Sequence, residues 1–356
     1  MKKLMLTTAI ASVLTTAAIA QTTITGELRV NYKAVGTEAA TGTTTTSTRG
    51  FGNEAQINFQ TKGKLNVGGL DYAAGFAMEN DAAQATALFN ENTYMDFTNA
   101  SSGTTISLSQ DHIQRSDSDR SAAVLVGFSP NELASSGPSG NRFAQNLGPA
   151  VGASWGIAVL QATPFGTFSY NYAPTLTDNS TTVTTTGSGA SEANSESDRE
   201  SGYEYGFVGG LGVKGLNAYY FKSAENSAST ITAATPGTIK SEAKSWGANY
   251  NFGQVTVGFA KKDYNPAGTT ANTTAPEISE KHYGVAYAVN NAVTLAALWA
   301  KADLDGNANT QEVKALQLGY ALGPVDLTAS VARNTDVGGV LGADSDMAMI
   351  RFIGKF

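Results

Sequence analysis

The sequence predicts an all-β protein, a single antiparallel β-barrel of sixteen strands that spans a membrane. Three observations predict this fold: segments of alternating apolar and polar residues, links that alternate between short and long, and a pattern typical of an export signal. After residue 20 the chain has no apolar run near the ~20 residues that a membrane-spanning helix requires. A membrane-spanning strand needs only ~10 residues of alternating character, so this sequence can cross a membrane as strands.

The first twenty residues have the three-part pattern of a secretory signal peptide. Lys2 and Lys3 form a basic start, residues 4–17 are largely apolar, and Ala18-Ile19-Ala20 matches an A-x-A cleavage site. An N-terminal membrane helix is the alternative, but the apolar segment is short and is interrupted by threonines and a serine. We therefore expect residues 1–20 to be removed and residues 21–356 to form the barrel.

Composition narrows the chemistry and the partners. Without residues 1–20 the chain keeps 21 Lys and Arg against 30 Asp and Glu, a formal charge of -9, which disfavours nucleic acid as a partner. The absence of cysteine excludes disulfides, thiolate metal sites and cysteine nucleophiles. A closed barrel satisfies its backbone hydrogen bonds within the sheet and needs no disulfide.

Each predicted strand has one apolar and one polar face, because side chains alternate along a strand. In the first strand, residues 23–35, the apolar face holds Ile24, Leu28, Val30 and Tyr32, and the polar face holds Glu27, Arg29, Asn31 and Lys33. The other strands are predicted over residues 54–62, 69–78, 92–98, 104–110, 151–160, 165–173, 202–208, 214–223, 244–251, 255–262, 281–289, 293–301, 311–321, 325–333 and 346–356. An even number of strands places both ends of the barrel chain on the same side of the membrane.

The links between these strands alternate in length. The short links are residues 63–68, 99–103, 161–164, 209–213, 252–254, 290–292 and 322–324. The long links are residues 36–53, 81–90, 111–149, 174–201, 224–241, 263–279, 303–310 and 334–344. Short turns at one rim and long loops at the other are typical of an outer-membrane barrel, whereas a soluble β-sandwich has no reason to separate loop lengths in this way.

The third long link, residues 111–149, is too long to be a simple connector. Within it, Ser129-Pro130-Asn131-Glu132 matches a capping box with proline at the first helical position, which predicts a short helix. The apolar residues Val124, Leu125, Val126 and Phe128 precede this helix and need a surface to pack against. The inner wall of a barrel would provide one.

The last strand, residues 346–356, has two distinct faces. One face holds Ala348, Ile350, Phe352, Gly354 and Phe356, and the other holds Met349, Arg351 and Lys355. We expect the first face to meet lipid and the second to meet water.

This arrangement resembles the general-diffusion porins of Gram-negative bacteria, in particular the alphaproteobacterial type. The resemblance covers the whole mature chain and is carried by the signal peptide, the sixteen strands, the long third loop, the segment Phe165-Gly-Thr-Phe-Ser-Tyr170 and the terminal strand ending in Phe356. It implies that the third loop folds into the pore and narrows a water-filled channel through the bacterial outer membrane. Small hydrophilic solutes and ions would cross this channel by passive diffusion. It also implies a homotrimer.

The resemblance further implies that the barrel-assembly machinery recognises the terminal strand through Phe352 and Phe356. Gly354 stands where the family usually has a bulkier apolar residue. Other expected partners are outer-membrane lipid and lipopolysaccharide. Acidic residues of the external loops, such as Glu192, Glu196 and Asp198, could hold divalent cations that bridge to lipopolysaccharide, or could simply be solvated loop charges. No tightly bound cofactor is expected.

In this family the acidic residues of the third loop oppose basic residues on the barrel wall, and a transverse field forms across the narrow zone. The corresponding candidates here are Asp111, Asp117, Asp119 and Glu132 on the loop, and Arg29, Lys33 and Arg351 on the wall. Arg29 and Arg351 lie on the first and last strands, which become neighbours when the sheet closes. Alternatively, Arg115, Arg120 and Arg142 neutralise the acids within the loop, and the capping role alone accounts for Glu132.

Other classes of protein fit the sequence less well. An enzyme is disfavoured because His112 and His282 are the only histidines and no Gly-x-Ser-x-Gly motif is present. Residues 303–309 superficially resemble a calcium-binding loop, but the glycine is misplaced and Lys314 stands where a bidentate glutamate is required. A secreted or outer-membrane β-protein acting as an adhesin or a structural protein is an alternative, and a substrate-selective channel is another.

Overall fold

The protein forms one closed antiparallel barrel in the computed structural model. The structure describes residues 21–39, 45–65, 69–81, 89–110, 121–134, 142–143, 155–174, 199–227, 239–265 and 277–356. The expected signal peptide, residues 1–20, lies outside these ranges. So do Asp111, Asp117 and Asp119 of the third loop.

The described residues contain sixteen strands, as the sequence predicted. They are β1 (Gln21–Glu38), β2 (Thr45–Lys64), β3 (Asp71–Asp81), β4 (Phe89–Asn99), β5 (Thr104–Gln110), β6 (Gly156–Thr163), β7 (Gly166–Ala173), β8 (Arg199–Gly209), β9 (Leu216–Ser227), β10 (Ile239–Asn251), β11 (Val255–Asn265), β12 (Ile278–Ala288), β13 (Val293–Leu304), β14 (Gln311–Ala321), β15 (Val325–Thr335) and β16 (Asp344–Lys355). A short helix, α1 (Pro130–Leu133), lies between β5 and β6, and a 3₁₀ helix (Val337–Gly339) lies between β15 and β16. No helix among the described residues is long and apolar enough to cross a membrane.

Each strand pairs with its neighbours in sequence, and β1 pairs with β16 to close the barrel. In this seam Asn31 is opposite Arg351, and Val30 is opposite Phe352. The seam ends at Gly26, which exchanges two backbone hydrogen bonds with Phe356, of 2.7 and 3.0 Å. The Phe356 ring lies directly over Gly26, where a Cβ atom would be 2.2 Å from the ring.

The two faces of the strands separate as expected. In β16, Ile350 and Phe352 are exposed on the outside, while Met347 and Met349 on the opposite face are buried inside the barrel. Large exposed apolar side chains continue around the outside, which is the distribution required by contact with lipid. The alternation in sequence therefore reports which side of the wall each residue occupies.

Short and long links also separate as expected, and define a turn end and a loop end of the barrel. At the turn end, residues 252–254 and 322–324 form three-residue links in which Gly253 and Gly323 have φ of +100° and +87°. Glycine adopts this conformation without the steric penalty of a side chain. At the loop end several strands continue further than predicted. For example, β2 begins at Thr45, which pairs with Glu38.

Candidate functional site inside the barrel

Residues 121–134 of the third loop lie inside the barrel, and the short helix α1 has the predicted cap. The Ser129 backbone N–H donates to Glu132 Oε2 at 2.8 Å, and the Glu132 backbone N–H donates to Ser129 Oγ at 3.3 Å. Pro130 occupies the first turn, where its missing N–H leaves no hydrogen bond unmade. The capping box therefore fixes where the loop turns inside the lumen.

Glu132 also joins the loop to the barrel seam. Its second oxygen, Oε1, forms an ion pair with Arg351 Nη2 of β16, and Lys33 Nζ of β1 lies 3.5 Å from the Glu132 carbonyl oxygen. Arg351 Nε donates to Asn31 Oδ1 at 2.8 Å, and its guanidinium carbon lies 4.5 Å from the centroid of the Phe128 ring. Three of the predicted site residues, Glu132, Lys33 and Arg351, therefore meet at one place.

Behind this ion pair the loop packs into an apolar surface on β13–β16. Phe128 and Leu133 are fully buried there with inward-facing residues that include Leu298, Val313 and Met347. Since burial of an apolar side chain contributes about 1.5–3 kcal/mol, these two residues are the main apolar anchors of the segment.

Two amide side chains of the wall hold the loop backbone. Gln317 accepts from the Phe128 N–H at 3.1 Å and donates to its carbonyl oxygen at 3.0 Å. Asn334 Nδ2 donates to the Leu133 carbonyl oxygen at 2.9 Å. These bonds satisfy backbone groups that would otherwise be buried without partners.

At its other end the segment touches β11 and β12 with its backbone. Both Gly258 and Gly284 face inward, and a Cβ atom there would be 2.2 Å from the Ala122 carbonyl oxygen and 2.0 Å from the Ala123 carbonyl oxygen, respectively. Glycine is thus required at both positions for the loop to approach the wall this closely. We call these two positions the glycine contact.

The buried His282 lies beside this contact. Its Nδ1 is 2.9 Å from Ser121 Oγ of the loop, and its Nε2 is 2.8 Å from Glu280 Oε2. His282 is therefore a buried inward-facing side chain that anchors the loop to β12. His112 lies outside the described residues.

Arg142 of the same loop does not contact Glu132, the one described acid of the predicted site. Its N–H donates to Gln311 Oε1 at 2.9 Å and its Nη1 donates to the Asn309 carbonyl oxygen at 2.8 Å. Burial lowers the pKa of the Arg142 guanidinium, and the Asp303 carboxylate opposes this effect. Arg142 thus holds the loop to the wall near the loop end. Arg115 and Arg120 are not among the described residues.

The adjoining wall, β1–β4, carries the remaining predicted residue, Arg29, which lies on the same strand as Lys33. Its guanidinium forms an ion pair with Glu27 and another with Glu54, where Nη1 and Oε1 are 2.6 Å apart. The register also places Glu79 and Asp96 on the inward face of β3 and β4. Arg29 is therefore surrounded by wall carboxylates and does not contact the described part of the loop. Among the side chains that the structure describes, the inward faces of β1–β4 carry five acids, which also include Asp71, against the four bases Arg29, Lys33, Lys62 and Lys64.

Some residues of the site were not predicted from the sequence. The inward faces of β13–β16 are apolar where a polar lumen face was expected, with Ala300, Ala302, Ala315 and Ala332 buried under the loop. A signal was present, because β13–β15 lack inward-facing charges in their middle portions, whereas β1–β4 have them. The external acids Glu192, Glu196 and Asp198 lie outside the described residues.

A closed barrel with an apolar outside, a charged inner wall and a loop segment held within it defines a membrane channel. A family model described as Gram-negative porin matches residues 7–350, and the chain belongs to this family. It is a non-enzymatic protein that forms a diffusion channel in the bacterial outer membrane.

Several solved structures have the same fold. The anion-selective porin from Comamonas acidovorans is 13% identical with a TM-score of 0.66, and the match covers 95% of this chain and 100% of that chain. Salmonella typhi OmpF in complex with daunomycin is 14% identical with a TM-score of 0.67, covering 94% and 97%. A multiple mutant of the Rh. blastica porin is 15% identical with a TM-score of 0.57, covering 94% and 100%. No curated protein sequence matches the chain.

Proposed function

We propose that this porin is a general-diffusion channel of the alphaproteobacterial type, in which size and charge determine what passes. The observation that carries this proposal is the position of residues 121–134, which pack against β13–β16 inside the barrel, next to the charged inner faces of β1–β4. A lumen lined by charged and amide side chains selects solutes by electrostatics and width. The sequence features of the whole chain support the alphaproteobacterial type.

We place the narrow zone at the level of the Glu132–Arg351–Lys33 group and the neighbouring wall residue Arg29. Glu132 and Arg351 are largely screened from water, with 28% and 15% of their side chains exposed, so their mutual attraction is stronger than that of a surface pair. Asp111, Asp117 and Asp119 belong to the same proposal as the further acidic side of the zone, although they lie outside the described residues.

The acidic wall gives the proposed channel a preference for cations. Three acids, Glu27, Glu54 and Glu79, cluster around the single base Arg29 on neighbouring strands, and a cleft lined by one sign of charge concentrates ions of the opposite sign.

The test is single-channel recording in planar bilayers under a salt gradient. Stable open steps with modest cation selectivity support the proposal, and absence of conductance from correctly folded protein contradicts it. In the double variant Glu27→Gln/Glu54→Gln the wall loses two negative charges, so the reversal potential should move toward the value for anions. The control is Glu242→Gln, the same change on the outer face of β10, and equal shifts in both would show that the β1–β4 wall does not set selectivity.

We make three further proposals. The sequence pattern predicts removal of residues 1–20, and the family resemblance implies assembly as a homotrimer and recognition of Phe352 and Phe356 by the barrel-assembly machinery. The intact mass of the exported protein tests the first. The mass of the native protein in detergent tests the second, and a monomer would contradict it. Truncation of Phe356 should slow barrel assembly in membranes, and unchanged assembly would contradict the third.

A further inference from the structure

Three lysines form a row on the lipid-facing side of the barrel. Lys261 of β11 is directly opposite Lys281 of β12, and Lys281 is directly opposite Lys301 of β13. Their sequence neighbours, such as Ala260 and His282, are buried inside, so the lysines point outward. We call Lys261, Lys281 and Lys301 the outer lysine row.

Such a row is electrostatically unfavourable by itself, because like charges directly opposite each other in a sheet destabilise it. The flanking members have partners: Lys261 Nζ lies 2.8 Å from Asp263 Oδ2, and Lys301 Nζ lies 2.8 Å from Glu312 Oε1. Among the described residues Lys281 forms no ion pair. The row with its two partners therefore keeps one uncompensated positive charge on a chain whose formal charge is -7.

The two acids nearest to Lys281 along the sheet are already bound to other groups. Asp263 and Asp303 are each opposite Ser279, one outward-facing position further toward the loop end. Asp263 Oδ1 accepts from Ser279 Oγ at 2.7 Å, and Asp303 accepts from Thr310 Oγ1. The Lys281 ammonium group thus remains available to an external anion.

An aromatic row lies next to the lysines on the turn-end side. The ring centroids of Phe259 and Tyr283 are 5.2 Å apart, those of Tyr283 and Trp299 are 5.3 Å apart, and Lys301 Nζ is 4.8 Å from the Trp299 ring centroid. Aromatic belts mark the boundary between hydrocarbon and headgroups. One step beyond this boundary, at the loop end, the lysines are level with the headgroups of the outer leaflet.

We propose that the outer lysine row binds the phosphate groups of an anionic lipid of the outer leaflet, whose acyl chains lie along the aromatic row. Lysine ammonium groups donate charge-assisted hydrogen bonds to phosphate oxygens. Phosphate groups offset the repulsion among the three lysines, and the lipid supplies the apolar surface that Phe259, Tyr283 and Trp299 face. This contact is direct and does not require a bridging cation.

The test measures binding of diphosphorylated lipid A to the folded full-length porin in zwitterionic detergent micelles. Lys281→Gln should weaken binding about fivefold, and the triple change of Lys261, Lys281 and Lys301 to Gln by about a hundredfold, since each basic residue near an anionic lipid surface contributes about 1 kcal/mol. Lys281→Arg should bind nearly as the unchanged protein does. The matched control is Lys214→Gln, an exposed lysine at the turn end, which should leave binding unchanged.

Thermal unfolding is a second measurement, in which the effect of Lys281→Gln on the unfolding temperature should reverse when lipid A is added. Without lipid A, Lys281→Gln should raise the unfolding temperature because it removes repulsion, and with saturating lipid A it should lower the unfolding temperature relative to the unchanged protein. If the triple variant fails to fold, lipid A binding and unfolding temperatures of Lys281→Gln and Lys281→Arg are compared instead.

Four outcomes overturn the proposal. They are equal binding by Lys281→Gln and the unchanged protein, an equal loss in Lys214→Gln, equal binding of the same lipid without its phosphates, and an equal rise in unfolding temperature with inorganic phosphate at the same concentration. The last would identify free phosphate as the ligand in place of lipid.

Discussion

At the scale of single residues, Glu132 uses its two carboxylate oxygens for two different tasks. Oε2 caps α1 through the Ser129 N–H, and Oε1 pairs with Arg351 on the last strand. The first contact is local and stabilises the helix start, whereas the second joins positions that are 219 residues apart and stabilises the docked loop. One side chain thus couples the conformation of the loop to its location.

The variant Glu132→Gln separates these tasks. A glutamine oxygen can still accept from the Ser129 N–H, but the charge opposite Arg351 is lost, so we expect the docked loop to be destabilised by about 1–2 kcal/mol. The measurement is single-channel recording, in which a less firmly docked loop should produce brief closures, together with thermal unfolding.

Ser129→Ala is the control, because it removes the cap acceptor while the ion pair remains. It should lower stability by about 1 kcal/mol without changing ion selectivity. Equal selectivity in Glu132→Gln and the unchanged protein would show that the Glu132–Arg351 pair lies away from the ion path.

The capping box was predictable from sequence and the ion pair was only a candidate. Ser129 and Glu132 are three residues apart, so their spacing alone indicates the cap. Glu132 and Arg351 meet because the barrel closes and the loop turns inward, and neither event is encoded in local spacing. The same reason explains why Arg29, which looked equivalent to Arg351, instead pairs with Glu54.

At the scale of elements, the third loop and the wall under it act as one packed unit. The loop contributes Phe128 and Leu133, and the wall contributes small apolar residues, two amides and the glycine contact. The four strands of this wall were predicted, but the apolar character of their inward faces was not, because a polar face toward the lumen was expected on every strand. Strands β1–β4 showed it clearly, since their inward faces carry charges.

The glycine contact gives a prediction for this unit. In Gly284→Ala the new Cβ would lie 2.0 Å from the Ala123 carbonyl oxygen, so the loop backbone must move away from β12. We expect a changed single-channel conductance and a loss of about 1–3 kcal/mol in stability, as for other overpacked sites.

The control for this prediction is Gly354→Ala, a strand glycine on the lipid-facing side whose Cβ would have no neighbour within 4 Å. It should change neither conductance nor loop docking. Unaltered conductance in Gly284→Ala would mean that residues 121–134 do not border the ion path.

At the scale of the whole molecule, the alternation of side chains decides which residues meet lipid and which meet water. Two neighbours on β2 show this separation. Ile57 is 41% exposed on the outside, whereas Gln56 faces inward with Glu27 and Glu79 opposite it on β1 and β3.

The variants Ile57→Lys and Gln56→Lys test this separation of the two faces, because each introduces the same positive charge on a different face. Ile57→Lys should lower the free energy of unfolding in lipid vesicles by roughly 2–4 kcal/mol if the position is near the midplane. Gln56→Lys should have little effect, because the ammonium group meets two carboxylates. Denaturant unfolding of barrels folded into vesicles measures both, and similar losses would contradict the assignment of faces.

Strand number, order and faces were all predictable, because they depend on period-two alternation and on turn residues. The first and last residues of the strands at the loop end of the barrel were not predictable. β2 begins at Thr45 and not at residue 54, since backbone pairing with β1 continues past the membrane, where side chains no longer need to alternate. The extent of side-chain alternation depends on contact with lipid, whereas the extent of a strand depends on backbone hydrogen bonding. The two extents therefore differ outside the bilayer.

The glycine contact also bears on how such a channel diversifies. The two glycines on neighbouring strands leave space for the loop backbone. The shape of the opening therefore depends partly on wall residues that no solute contacts. A wall substitution at Gly258 or Gly284 would reshape the passage while every residue of the loop stayed the same. Permeability can therefore change during evolution through wall substitutions while the loop sequence stays the same.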